Sequence, residues 1–152
     1  MARPVTHSLV KALKRVPGFD LLSSQDLLCI VGASVNLKWG PGSDVFKKGT
    51  PGEALYVVLS GKVKIYDEVD GNEVEIATIE AGDYFGEMSL LADTMHTKNV
   101  KAVEDSELLV LLKEPFAELM ESNGELAEHI HKTLETRRAE LESRFQTEAR
   151  AS

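Results

Sequence analysis

The stretch Ala81-Gly82-Asp83-Tyr84-Phe85-Gly86-Glu87-Met88-Ser89-Leu90-Leu91-Ala92 gathers the residue types in this chain best suited to chemistry. Two glycines bracket an aromatic pair, and a carboxylate, a small hydroxyl residue and a short apolar run follow. This order predicts a strand, a tight turn and the N-terminus of a short helix opening near Glu87. The free N–H groups at a helix start lie at the positive end of its dipole and form a seat for an anion. Gly86 lets the backbone approach a ligand closely. Glu87 beside such a seat has two readings. It accepts from a sugar hydroxyl on the anion, or it is a first-turn residue that the dipole favours. The residue types alone leave both open.

Other chemistries find less support. A cupin-like metal centre needs histidines and a carboxylate clustered on adjacent strands. The histidines are His7, His96, His129 and His131, and of these His96 alone lies in the strand-rich zone. His129 and His131 stand two apart on an expected helix and so point to different faces. Cys29 is the single cysteine and sits in Leu27-Leu28-Cys29-Ile30-Val31. It reads as a buried, inert thiol, and no intramolecular disulfide can form. No Ser–His–Asp or Cys–His grouping stands out, so the expectation is a non-enzyme with no metal and no cofactor.

The chain carries 17 basic and 25 acidic residues, a formal net charge of −8. That balance repels nucleic acid, whose binding relies on a basic footprint. The densest basic clusters, Lys11, Lys14 and Arg15 and then Arg137 and Arg138, are short. Met1 to Arg15 lacks the apolar core of a signal peptide, and no stretch approaches the ~18 apolar residues of a membrane span. The expectation is a cytoplasmic protein with no membrane insertion. At 152 residues, 43% of them hydrophobic, the chain suits one domain.

Three zones must position the Gly86 segment. Residues 8–35 show helical spacing, in Leu9, Val10 and Leu13, then Leu21 and Leu22, then Leu27, Leu28, Ile30 and Val31. Pro17-Gly18 breaks this zone, and Ser24 is the expected cap of the second helix. Residues 37–112 read as short strands, over Leu55–Leu59, Lys62–Tyr66, Val74–Ile79 and Leu108–Leu112. Turn signals lie at Pro41-Gly42, Gly49-Thr50-Pro51-Gly52, Asp70-Gly71-Asn72 and Ala81-Gly82-Asp83. Lys62-Val63-Lys64-Ile65-Tyr66 alternates with period two, the mark of a half-buried strand, and Asp70-Gly71-Asn72 reads as a hairpin connection. Leu108–Leu112 is apolar throughout and is expected to be buried on both faces. Such a zone makes a sandwich, jelly roll or small barrel. Residues 114–148 return to helical spacing. Phe116, Leu119 and Met120 form one stripe, Asn123-Gly124 breaks it, and Leu126, Ile130, Leu134, Leu141 and Phe145 form a second. Glu128 with Lys132 and Glu140 with Arg144 stand at i,i+4 ion-pair spacing.

Phe85-Gly86-Glu87-Met88-Ser89-Leu90-Leu91, a loop, and Val100-Lys101-Ala102 resemble the phosphate-binding cassette of cyclic-nucleotide-binding domains. These are the regulatory domains of catabolite activators, cyclic-nucleotide-dependent kinases and cyclic-nucleotide-gated channels. Gly42–Gly49 and Tyr56–Tyr66 are similar to the early strands of the same family, and the likeness spans about residues 9–135. The resemblance implies a mainly β fold with flanking helices: a β-roll, or double-stranded β-helix/jelly-roll, with N-terminal helices and C-terminal hinge helices. It implies cAMP or cGMP as ligand. Glu87 would accept from the ribose 2′-hydroxyl, and the amides of Met88, Ser89 and Leu90 would face the cyclic phosphate. Val63, Ile65, Val74 and Ile76 would line the pocket, and Thr97 would touch the phosphate or a guanine edge. Ile130 or Leu134 would cap the base. A homodimer or partner contact through the C-terminal helix would carry the output.

One departure stands out. The family's arginine follows the glutamate by nine or ten residues, and the residue nine beyond Glu87 is His96. Arginine grips a phosphate oxygen pair bidentately, whereas an imidazole near its ordinary pKa offers one donor and partial charge. Lys98 could restore a point charge. Three readings follow: a cyclic-nucleotide sensor of reduced affinity, a pocket for another ligand, or a degenerate roll that serves as an interaction or oligomerisation module. The chain is either freestanding or a domain from a longer protein.

Overall fold

The computed structural model describes residues 4–16, 19–86 and 95–128, with residues 131, 132, 135, 136 and 139 beyond them. Eight strands are formed among these: β1 (Ser34–Trp39), β2 (Asp44–Phe46), β3 (Ala54–Ser60), β4 (Lys62–Val69), β5 (Asn72–Glu80), β6 (Tyr84–Phe85), β7 (Asn99–Ala102) and β8 (Ser106–Leu112). They build two antiparallel sheets, ordered β1-β8-β3-β6 and β2-β7-β4-β5. Helices α1 (Pro4–Lys14) and α2 (Ser24–Ala33), joined through a 3₁₀ turn at Phe19–Leu21, precede the sheets, and α3 (Lys113–Ser122) follows them. The fold is mainly β with flanking helices, as expected.

Two cores result. Between the sheets, Val58, Phe85 and Leu108 meet Val63, Ile79 and Val100. On the other face of the first sheet, Leu55, Val57, Tyr84, Leu109 and Leu111 pack against Val10, Leu13, Leu27, Ile30, Phe116 and Leu126 of the helices. Consecutive residues of β3 and β8 thus enter different cores, because side chains alternate across a strand. This explains the uninterrupted apolar run at Leu108–Leu111, buried on both faces as expected; Leu112 at its end is 46% exposed.

The outer face of the second sheet is held differently. Tyr66 is 2% exposed, and its hydroxyl donates to Asp44 Oδ1 at 2.9 Å. The ammonium groups of Lys101 and Lys64 lie 5.0 and 5.8 Å from its ring centroid, and both pair with Glu73. One aromatic ring therefore links β2, β4, β5 and β7 by a hydrogen bond, two cation–π contacts and two ion pairs.

Several expectations need correction. The helical reading of residues 8–35 runs too long at its end. Ser34 closes α2, its amide donating to Val31 O and its hydroxyl to Ile30 O, and it opens β1. Val35 and Leu37 belong to a strand paired with Val110 and Leu108. Helix α1 starts earlier, at Pro4, which needs no amide partner there. The cap of α2 is Ser23 rather than Ser24, with the Ser23 hydroxyl accepting from the Asp26 amide. Cys29 is exposed, not buried, because α2 turns Leu27 and Ile30 to the core and Leu28 and Cys29 to solvent. The hairpin holds: Val69 pairs with Asn72, and Asp70 and Gly71, both at positive φ, form its two-residue turn. Asn123 ends α3, and its side-chain oxygen accepts from the Leu126 amide to cap the next helical stretch, residues 124–128. Pro17-Gly18 and the later stripe residues Ile130, Leu134, Leu141 and Phe145 lie outside the described residues.

The chain changes sheets between β3 and β4 in the single residue Gly61. Its φ is +89°, and a Cβ there would sit 2.4 Å from the Asp105 carbonyl oxygen and 2.6 Å from Ser106 Cα. Ser106 cannot withdraw, since its hydroxyl bonds to the amide and the carbonyl of Lys62. Gly61→Ala should destabilise the fold by about 2–4 kcal/mol, from left-handed strain plus overpacking. Thermal or urea denaturation measures this.

Candidate functional site

The site is built from the inner face of the second sheet. Register sets its rungs: Val63 with Ala102 and Ile79, then Ile65 with Val100 and Ala77. Of the expected lining residues, Val63 is fully buried and Ile65 packs against the inter-sheet core. A bulge in β5 lets Ile65 pair with Ala77 and Tyr66 with Glu75, leaving Ile76 as the extra, buried residue. Val74, half-buried, pairs with Asp67 on the next inward rung. Alternation along β4 places Asp67 on the face of Val63 and Ile65. Extending the β4–β7 register by one step places Lys98 opposite Asp67, and Lys98 Nζ lies 3.3 Å from Asp67 Oδ2. The side chains are 23% and 14% exposed. An ion pair thus closes an inner face that is otherwise apolar on these rungs.

Burial alone would raise the Asp67 carboxyl. Hydrogen bonds from Lys98 and from the Glu68 amide, with the charges of Lys98 and Lys48, instead hold it below its ordinary range. Asp67 is therefore ionised near neutral pH, and Lys98 spends its charge on it.

The first sheet supplies an aromatic cluster. In β6, Tyr84 turns into the helix-side core and stacks on Phe19 at 6.0 Å, while Phe85 turns into the roll. Phe85 stacks on Tyr56 at 5.1 Å and 8°, and Phe46 lies tilted against both. Gly86 follows at φ +91°, with its Cβ position 3.0 Å from the Ala54 carbonyl oxygen and 3.0 Å from the Tyr56 ring. A side chain there would meet backbone and ring in a conformation that L-residues rarely adopt. The turn is thereby pressed onto β3 immediately before Glu87. Glu87, Met88, Ser89 and Leu90 lie outside the described residues.

His96 does not offer the charge an imidazole near its ordinary pKa would carry. Its ring lies parallel to Phe46 at 3.5 Å and 7°, and the residue is 4% exposed. Burial pushes its pKa below the usual imidazole value, so the ring stays neutral at pH 7. Its backbone clamps two loops: the His96 amide donates to Thr50 O and the Gly49 amide to His96 O, each at 2.8 Å. Thr97 is exposed. Thus Val63, Ile65, Val74 and Lys98 share one face, Phe85 and His96 join an aromatic cluster, and Thr97 lies between His96 and Lys98 on the surface.

Three residues of this site were not singled out from sequence. Phe46 and Tyr56 were seen only as parts of strand runs, and their clustering depends on contacts between distant strands. Asp67 carried a readable signal, since the alternation of Val63 and Ile65 extends to it. Among the described residues no group of three or more His, Cys, Asp or Glu is placed to hold a metal ion, and no helix is long and apolar enough to cross a membrane.

Comparisons with known proteins converge on one family. Residues 37–123 match the family described as cyclic nucleotide-binding domain. The chain is 36% identical over 109 residues to the cyclic AMP receptor protein of Thermus thermophilus, covering 71% of this chain and 50% of that protein. The crystal structure of the Thermus thermophilus catabolite activator protein superposes with a TM-score of 0.76 at 30% identity, over 88% of this chain and 63% of that one. The sensor domain of the transcriptional regulator DNR from Pseudomonas aeruginosa superposes with a TM-score of 0.80 at 25% identity, over 95% of both chains. The chain therefore spans about half the length of the receptor protein it matches. With the roll, the turn at Gly86 and the matched span in agreement, the chain belongs to the cyclic nucleotide-binding domain family.

Proposed function

We propose that this chain is one ligand-sensing module that binds a cyclic nucleotide, cAMP or cGMP, at reduced affinity and signals through the helices after β8. The observation that carries this reading is the left-handed turn at Gly86, seated on Ala54 and Tyr56 directly before Glu87. Glu87 then accepts from the ribose, the amides of Met88, Ser89 and Leu90 take the phosphate, and Val63, Ile65, Val74 and Phe85 supply apolar walls. Lys98, rather than the buried and neutral His96, provides the cation. A lysine is a point charge without the arginine fork, and losing one charge-assisted hydrogen bond weakens binding about ten- to a hundredfold.

The output route has a physical basis. Helix α3 starts where β8 ends, and the Lys113 amide donates to Glu53 O at 2.9 Å. Phe116 and Leu126 sit in the helix-side core with Leu109 and Leu111 of β8. A shift of the sheet on ligand uptake would therefore move these helices, by no more than the difference in ligand affinity between the two states allows. Leu126 is 0% exposed. A contact with a second copy or a partner would begin beyond it.

Titration calorimetry with cAMP and cGMP tests the reading. Saturable binding to one of them, lost in Glu87→Ala, is expected. No heat up to about millimolar ligand would favour the roll as a structural or interaction module.

A second prediction concerns pH. An ordinary imidazole gains much of its charge between pH 7.5 and 6, and burial, which lowers the His96 pKa, makes His96 gain less. Affinity should therefore change by less than about twofold across that interval, and a rise on acidification would restore His96 as the phosphate contact. Fold stability should respond. With its folded pKa depressed, His96 protonates first in the unfolded chain, so stability declines as pH falls from about 7 toward the folded pKa. His96→Phe, which keeps a ring against Phe46, should flatten that slope in denaturation curves.

A further inference from the structure

The rungs leading into the site are apolar pairs until Asp67 and Lys98, and that change calls for a physical reason. A cross-strand ion pair with side chains only 14% and 23% exposed pays desolvation on both groups, and two apolar side chains at the same rung would be as stable or more so. The pair is also not an accident of the surface. Asp67 follows Val63 and Ile65 on the inward face of β4, Val74 pairs with it from β5, and Lys98 reaches it from just before β7. Among the described residues, the charges acting on Asp67 are the ammonium of Lys98, within bonding distance, and that of Lys48, whose amide is bonded to the Asn99 side chain. Both are cations, and an anionic ligand would seek both.

We propose that Asp67 is an internal competitor for the ligand's phosphate: its carboxylate holds Lys98, and a cyclic nucleotide binds by displacing Asp67 from that ammonium. The inference rests on the reading of the roll as a cyclic-nucleotide site and adds the residue that sets its threshold. The exchange is like for like. A carboxylate and a cyclic phosphodiester each carry one negative charge and offer paired oxygens to an ammonium. Displacement leaves the Asp67 carboxylate near the incoming phosphate, so the cost of binding includes breaking one charge-assisted bond and placing two anions close together. The natural chain accordingly responds only to high ligand concentration, and removing the carboxylate charge lowers that concentration.

The test is calorimetric titration of cAMP, cGMP and, as uncharged controls, adenosine and guanosine into the natural chain, Asp67→Asn, Lys98→Met and the double variant, each checked for folding by thermal denaturation. Asp67→Asn should bind a cyclic nucleotide about tenfold more tightly than the natural chain, and Lys98→Met about tenfold more weakly. The double variant should bind no more tightly than Lys98→Met, and the nucleosides should show no gain. If Asp67→Asn does not fold, Asp67→Ser replaces it, keeping an acceptor for Lys98 without charge. A natural chain that binds while neutral variants at Asp67 gain nothing overturns the competitor and leaves the sensor reading standing. A silent natural chain with a binding Asp67→Asn upholds the competitor and overturns the natural chain as a sensor. A double variant that keeps the gain overturns the role of Lys98, and silence from every variant overturns both readings.

Discussion

The structure depends on three strands of one sheet, β3, β6 and β8, being buried on both faces. In β3, Leu55 and Val57 face the helices while Tyr56 and Val58 face the roll. In β8, Leu109 and Leu111 face the helices and Leu108 faces the roll. Tyr84 and Phe85 divide in the same way within a strand of two residues. Because side chains alternate with period two, a slip of one residue in any of these strands would exchange the two cores. Helix packing and roll interior are therefore specified together, and the turn at Gly86 inherits its place from both.

The second sheet solves a different problem. Its outer face carries a network around Tyr66, with Asp44, Lys64, Lys101 and Glu73 each engaged. Charges there are shared among several partners near solvent, where a single pair contributes little. The inner rungs are apolar, with the exception of Asp67 and Lys98. Charges outside are shared among several partners, whereas inside one carboxylate meets one ammonium.

His96 has a structural role of its own. Where the family places a phosphate-gripping arginine, His96 gives its ring to Phe46 and its backbone to Thr50 and Gly49. It fastens two loops of the roll together and is no longer available as a charge. Lys98, two residues later, takes the inward face of the roll and is paired with Asp67.

Much of this could be read from residue types. The alternation in Lys62–Tyr66, the turn at Asp70-Gly71 and the doubly apolar Leu108–Leu111 run all act through neighbours a few residues away. Local patterns of that kind survive translation into structure. The failures share one cause. Val35 and Leu37 extend the apolar spacing of α2, yet they pair with β8, where Asn36 and Glu107 meet across 71 residues of sequence. Cys29 lies in an apolar run, but the core touches only one side of its helix. The neutrality of His96, the aromatic cluster of Phe46, Tyr56 and Phe85, and the engagement of Lys98 by Asp67 likewise depend on which distant strands become neighbours. Sequence alone determined the strand-and-turn grammar and the order of the charged and polar residues along it. Only tertiary structure decided which charges those residues keep, because burial and cross-strand partners set the charge state and neither is a local property of the chain.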